Sequence, residues 1–232
     1  MQDTRSFDRL PERLPDDPLR WAEAWILEAT ERAVTRNPNA MTLATVGEDG
    51  RPSARVVLCK ALVPDPGYLV FHTNYRSRKS REIEAHPEVA AVFHWDELGR
   101  QIRIEGRALR SPAAESDAYF ATRPWGSRLG AWGSDQSTPI ASRAALVQQV
   151  RRRAADLGVA LGADTQTLAG DTVPAIPRPP HWGGIRLWVA AVELWVEGLD
   201  RIHDRAVFRR ELAPQDEWSC TAGPWQATRL QP

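Results

Sequence analysis

MTLATVGEDGRPSARVVLCKALVPDPGYLVFHTNYRSRK, residues 41–79, decides how this chain folds. Apolar and polar residues alternate from Met41, break at Gly47-Glu48-Asp49-Gly50 and resume over 53–60, the pattern of a β-hairpin. After the turn residues Pro64-Asp65-Pro66-Gly67 a third strand is predicted over 68–73, and a short helix over 77–85. That helix opens on Ser77-Arg78-Lys79. A helix N-terminus carries partial positive charge, so two cations there oppose the local field unless an anion lies between them and the exposed amides. A phosphate would resolve the conflict.

Lys60 and Lys79 are the two lysines in a chain with 30 Lys and Arg. Where arginine is the default cation, a lysine at each end of one region points to a compact point charge. The rest of the composition narrows the function. Thirty acidic residues balance the 30 basic ones and are interspersed with them, which argues against a nucleic-acid partner. No apolar run reaches the roughly 18 residues of a membrane span, and the opening MQDTRSFDRL is too polar for a signal peptide. A cytoplasmic protein without a membrane partner is expected. Cys59, Cys220 and the five histidines lack ligand spacing, so no metal is expected.

Outward from residues 41–79, positions 19–36 carry Leu19, Ala22, Trp25, Ile26, Ala29 and Ala33 at helical spacing. Strands are predicted over 89–95 and 101–109, the second with Ile102 and Ile104 on one face and Gln101, Arg103 and Glu105 on the other. Helices follow over 113–122 and 138–157. Residues 159–180 lack periodicity and read as a mobile loop; strands resume over 185–196, 205–212 and 225–230. This order predicts a mainly β protein with flanking helices, its antiparallel sheet curled into a barrel. The 232 residues form one domain in this reading, with 1–13 as a mobile arm.

The polar clusters fall into collinear motifs: RVVLCK at 55–60, TNYRSRK at 73–79, RQIRIEG at 100–106, YFATRPWGS at 119–127, GAWGSDQS at 130–137, WGG at 182–184, RIHDR at 201–205 and a terminal WQATRLQP. Together they resemble the pyridoxamine 5′-phosphate oxidase family, flavoenzymes with an FMN-binding split β-barrel, over most of the chain. The resemblance implies FMN held by Arg55, Val56, Val57, Leu58, Cys59, Lys60, His72, Thr73, Arg78, Lys79, Gln101, Gln136, Ser137, Trp195 and Arg205. It places the substrate phosphate on Lys60, Tyr119, Arg123 and Ser127, and the substrate ring near Arg201 and His203, the candidate catalytic pair. The implied reaction oxidises pyridoxamine or pyridoxine 5′-phosphate to pyridoxal 5′-phosphate, with O2 as acceptor and H2O2 as product, in a homodimer with shared active sites.

The residue chemistry runs alongside. Tyr119, Arg123 and Ser127 recur at intervals of four, one helix face if the helix continues, although Pro124 and Gly126 argue for a turn at Ser127. Arg201 and His203 alternate onto one strand face with Arg205 beside them. Arg55 and Lys60 are an odd number of residues apart, so a regular strand would point them to opposite faces; a bulge or a second subunit would reconcile them. The family pattern is not complete: His72 stands where tyrosine is common, the 159–180 loop is long, and Phe7 is the one aromatic before Leu14 where the family carries an arginine and a tyrosine in a closing arm. Two alternatives remain: a related flavin oxidase of phenazine biosynthesis, and a flavin- or B6-binding barrel without turnover. Tyr119, Arg123 and Ser127 argue against the first, the intact RIHDR against the second.

Overall fold

The computed structural model describes residues 9–162, 165, 167–169 and 175–232. The chain opens with α1 (Pro18–Glu31), β1 (Ala40–Val46), β2 (Pro52–Leu58), β3 (Ala61–Val63), β4 (Tyr68–Asn74) and α2 (Arg78–Ala85). Next come β5 (Glu88–Trp95), β6 (Arg100–Arg110), α3 (Ala113–Thr122), α4 (Trp125–Gly133) and α5 (Arg143–Asp156). It closes with β7 (Trp182–Val196), β8 (Asp204–Arg209), β9 (Leu212–Pro214), β10 (Cys220–Ala222) and β11 (Gln226–Leu230). Two compact units result, one of residues up to Phe71, Glu82–Arg110 and Ile185–Pro232, the other of His72–Arg81 and Ser111–Gly184.

The first unit is built on an antiparallel sheet ordered β11-β8-β7-β6-β5-β1-β2, with β4 pairing β3 and β7. The β1–β2 hairpin forms as its alternation predicts, from Ala40↔Leu58 to Val46↔Pro52. Strand β2 then stops. Cys59 N–H still donates to Asn39 O at 2.9 Å, but Lys60 N–H donates to Val70 O at 2.7 Å, so the chain changes partner between them. Arg55 and Lys60 therefore never share a regular strand, and the predicted parity conflict does not arise. The short β3 that follows has too few residues to show an alternation and was not anticipated.

Strand β7 organises the unit. One edge pairs β6 over its length, from Arg110↔Ile185 to Arg100↔Val196, with a bulge at Glu105/Gly106. A Cβ on Gly106 would lie 1.9 Å from Trp188 O, so the bulge requires glycine. The other edge is divided. Val189 N–H donates to Gly67 O at 3.1 Å, while Arg210 N–H donates to Ala190 O at 2.9 Å and β8 pairs from Ala191 onward. This division opens the barrel. Leu43, Leu69, Phe71, Phe93, Ile102, Ile104 and Phe208 are fully buried, each contributing about 1.5–3 kcal/mol of transfer free energy.

Helix α1 starts where Asp17 accepts the Leu19 N–H at 2.9 Å with Pro18 in the first turn. It ends at Glu31 rather than the predicted 36, because Ala33 takes φ 48 and Asn37-Pro38 follows. Of the arm, residues 1–8 lie outside the described residues; Leu10 is buried with its N–H on Asp204 Oδ2 at 2.8 Å, and Arg229 NH2 donates to Pro11 O at 2.6 Å.

In the second unit α4 and α5 enclose Leu129, Ala154, Val159 and Ile176, with Trp125, Trp132 and Val150 packed against them. Helix α5 begins at Arg143 rather than 138, since Ser142 is the residue that caps it, accepting the Ala145 N–H at 3.0 Å. Helix α4 was hidden by its three glycines. Part of the 159–180 loop lies outside the described residues; within the rest, Leu161 and Leu168 form an antiparallel bridge.

Candidate functional site

The second unit gathers the cationic end of the decisive stretch with a distant motif. Lys79 Nζ donates to Gln136 Oε1 at 3.0 Å, Thr73 Oγ1 at 3.1 Å and Ser77 Oγ at 3.2 Å. The Arg78 backbone N–H donates to Ser137 Oγ at 3.1 Å, and Ser137 takes φ 72, an uncommon backbone state for a residue with a side chain. Thr73, Arg78, Lys79, Gln136 and Ser137, expected at the cofactor, thus form one cluster at the first turn of α2. Three of the ammonium's acceptors are neutral oxygens, which fix its position. A cation, an N-terminal amide and several hydroxyls in one place suit a phosphate monoester.

A stacked aromatic group stands elsewhere in the same unit. His72 lies on Tyr119 with ring centroids 3.8 Å apart, Trp182 lies 5.2 Å from His72, and Phe120 meets Trp182 edge-on at 5.1 Å. Arg123 places its guanidinium 4.5 Å above the Trp182 ring. Its NH1 is buried with no hydrogen-bond acceptor, and among the described residues no carboxylate lies within ion-pair range of it. Burial pulls the Arg123 pKa below its usual value, partly opposed by Tyr119. As Pro124 and Gly126 imply, no continuous helix runs through Tyr119, Arg123 and Ser127. Helix α3 ends at Thr122, Arg123 is extended at φ −74 and ψ 144, and Pro124 starts a new helix. Ser127 is therefore in the first turn of α4, exposed, and not in a turn outside a helix.

The WGG motif explains how close the backbone comes. Gly184 N–H donates to Ser116 Oγ at 3.0 Å, and Gly184 O accepts from Tyr75 Oη at 3.2 Å and Ser111 N–H at 2.9 Å. A Cβ on Gly184 would lie 2.5 Å from Ser111 Oγ, so a larger residue would have to displace Ser111.

In the first unit, three expected cofactor residues, Gln101 and Arg205 from separate motifs and Trp195 from outside them, share one row across β6, β7 and β8: Gln101↔Trp195↔Arg205. Directly opposed residues project from the same face, and this is the polar face predicted for Gln101 and Arg103. Glu193, almost fully buried, lies between two arginines: Arg205 Nε and NH2 reach its Oε1 at 2.9 and 2.8 Å, and Arg103 NH2 reaches Oε2 at 3.2 Å. His203 packs against Trp195 at 4.6 Å, and its Nδ1 accepts the Gly198 N–H at 3.2 Å, so the neutral ring carries its proton on Nε2. Arg201 and His203 precede β8 instead of alternating along it. Arg201 sits in a tight turn at φ 65, following Asp200 at φ 53, and is exposed.

Along the 55–60 motif, Val56 is 66% exposed, Val57 and Leu58 are half-buried and Lys60 is exposed. Burial pushes the Cys59 thiol up to about 12. Arg55 is turned toward Glu82, Thr45 and Ser53. Glu82, Glu193 and Trp182 were not singled out from sequence as site residues. A lone carboxylate inside the apolar run 185–196 was the available signal for Glu193. Among the described residues no group of three or more His, Cys, Asp or Glu could hold a metal, and no helix is long and apolar enough to cross a membrane.

A mainly antiparallel sheet whose central strand divides one edge between two partners defines the class, a split β-barrel. The family described as pyridoxamine 5′-phosphate oxidase matches residues 27–155, and the pyridoxine 5′-phosphate oxidase C-terminal dimerisation region matches 182–232. A pyridoxine/pyridoxamine 5′-phosphate oxidase from Burkholderia lata is 47% identical over 203 residues, 88% of this chain and 86% of that protein. Among solved structures, PhzG from Burkholderia lata in complex with tetrahydrophenazine-1-carboxylic acid superposes with a TM-score of 0.75 at 29% identity, covering 94% of each chain. A pyridoxamine 5′-phosphate oxidase-related, FMN binding protein from Nostoc punctiforme shares the fold at a TM-score of 0.63 and 19% identity, over 93% of this chain and 97% of that one. The chain belongs to the pyridoxamine 5′-phosphate oxidase family.

Proposed function

We propose that the protein oxidises pyridoxamine or pyridoxine 5′-phosphate to pyridoxal 5′-phosphate, using FMN and O2 and releasing H2O2. The observation that carries the substrate class is Arg123. A half-buried guanidinium stacked on Trp182, with a buried donor lacking an acceptor, is costly unless an anion joins it. Tyr119 stacks nearby on His72 and offers a hydroxyl. The substrate phosphate is the group this arrangement suits.

The donor set at Thr73, Lys79, Arg78, Gln136 and Ser137 fits the single terminal phosphate of FMN, and Arg55, Gln101, Trp195 and Arg205 complete the proposed cofactor set. FMN, when bound, supplies the acceptor for the two electrons and the hydrogen that leave the substrate's amine- or alcohol-bearing carbon, and O2 reoxidises it. The chain's residues supply position and electrostatics. Arg201 and His203 face the substrate ring in this reading, with His203 held by Gly198 and Trp195 in the tautomer that donates from Nε2. The working unit is a homodimer with shared active sites, supported by the match to the dimerisation region.

The likeness to the phenazine-bound PhzG structure supports a second reading, in which Arg123 takes a carboxylate of a tricyclic acid. Steady-state peroxide formation separates the two. Turnover of pyridoxine 5′-phosphate by a yellow, FMN-releasing protein supports the first reading; turnover of the tricyclic acid alone supports the second; a protein that takes up no flavin overturns both.

A further inference from the structure

Arg55 is among the residues that the resemblance places at FMN, but both terminal nitrogens of its guanidinium are already engaged within the chain. NH1 donates to Leu43 O at 3.2 Å and to Thr45 Oγ1; NH2 donates to Ser53 Oγ and to Glu82 Oε2 at 3.0 Å. Among the described residues only Nε–H has no acceptor. Glu82 is 5% exposed and also accepts from Thr45 Oγ1 at 2.5 Å and Ser53 Oγ at 2.7 Å. Arg55 and Glu82 thus form a buried ion pair, side chains 20% and 6% exposed, inside a ring of hydroxyls supplied by the β1–β2 hairpin.

A buried ion pair is poor evidence of stabilisation, because desolvation offsets most of the attraction. What this one does provide is order: a long side chain is held in one rotamer before any ligand arrives. We propose that Glu82 is a positioning residue for the cofactor phosphate, fixing Arg55 so that it addresses the phosphate through a preset Nε–H rather than through a mobile fork. Its carboxylate cancels much of the Arg55 charge, so Arg55 contributes direction, and attraction for the anion comes from other cations. The proposal rests on the FMN reading above. It extends that reading to a residue that touches no ligand.

Flavin fluorescence quenching measures the affinities of the apoprotein for FMN and for riboflavin, which lacks the phosphate. The wild type binds FMN more tightly than riboflavin. Glu82→Leu raises the Kd for FMN about tenfold, the scale of one charge-assisted hydrogen bond, and leaves that for riboflavin unchanged. Glu82→Gln restores FMN binding, because its amide oxygen accepts the same bond from NH2. If Glu82→Leu does not fold, Ser53→Ala carries the test, with an increase of about threefold for FMN alone. The proposal is overturned if FMN and riboflavin shift together, if neither shifts, or if glutamine fails where leucine fails. A wild type that binds both flavins equally refutes the phosphate reading itself, and Glu82's role with it.

Discussion

Two candidate-site arginines of the sheet unit and one of the helical unit are set up in opposite ways. In the sheet unit, Arg205 gives two bonds to Glu193 and a third to Gln231 O, and Arg55 gives four bonds to Glu82 and its neighbours. In the helical unit, Arg123 rests on Trp182 with a buried NH1 that has no acceptor among the described residues. A cation whose charge is cancelled in place contributes geometry; one left uncancelled at a partly dry site contributes attraction for an anion yet to come. In the proposed function, the difference separates residues that would shape the site from the residue that would select what enters it.

That contrast can be broken first at Glu193. Glu193→Leu strands two arginines beside an apolar side chain, and should lower stability by about 3–5 kcal/mol in urea unfolding. A loss under about 1 kcal/mol would show that the pair does not order the sheet face. Arg123→Ala should behave in the reverse manner. Its stability should stay within about 1 kcal/mol of wild type, since a cation without a counter-ion is removed. Its KM for pyridoxine 5′-phosphate should rise about ten- to a hundredfold, equivalent to about 1.5–3 kcal/mol, with FMN retained and kcat changed less. If stability collapses while KM holds, Arg123 belongs with the structural arginines.

The smallest effect concerns Cys59, a motif residue that carries no charge at neutral pH. Its folded thiol, pushed up to about 12 chiefly by burial, resists alkylation at pH 9 in the native protein and reacts once the chain is unfolded. The raised value stabilises the fold fully below the free thiol's usual 9.0, and that contribution is lost as pH rises toward about 12. Rapid native labelling at Cys59 would place this strand end in solvent.

What could be read in advance follows from how local each signal is. The β1–β2 hairpin and the alternating β5 and β6 are written in neighbouring residues, and the Gln101↔Trp195↔Arg205 row follows once the strands pair. The 113–122 helix ends where predicted, before Pro124, whereas helix boundaries failed where local backbone outweighed periodicity, at the Ser142 cap and at Ala33 with its φ of 48. The one-strand reading of Arg55 and Lys60 failed because a strand's end is decided by its partner: Val70 takes the Lys60 N–H from β1. Glu82, Glu193 and Trp182 were illegible as site residues for a related reason. Glu82 is 27 residues from Arg55, and Trp182 meets Arg123 only after the chain has passed through α4 and α5.

The uncancelled charge of Arg123 is the centre of the account, and anaerobic mixing with the FMN-loaded protein tests it most directly. Pyridoxine 5′-phosphate should bleach the flavin in the wild type at concentrations far below those needed with free pyridoxine. In Arg123→Ala that gap should shrink by about ten- to a hundredfold, the free alcohol being unaffected. A wild-type flavin bleached by a phosphate-free tricyclic acid but not by pyridoxine 5′-phosphate, or a gap that survives the loss of Arg123, would contradict it.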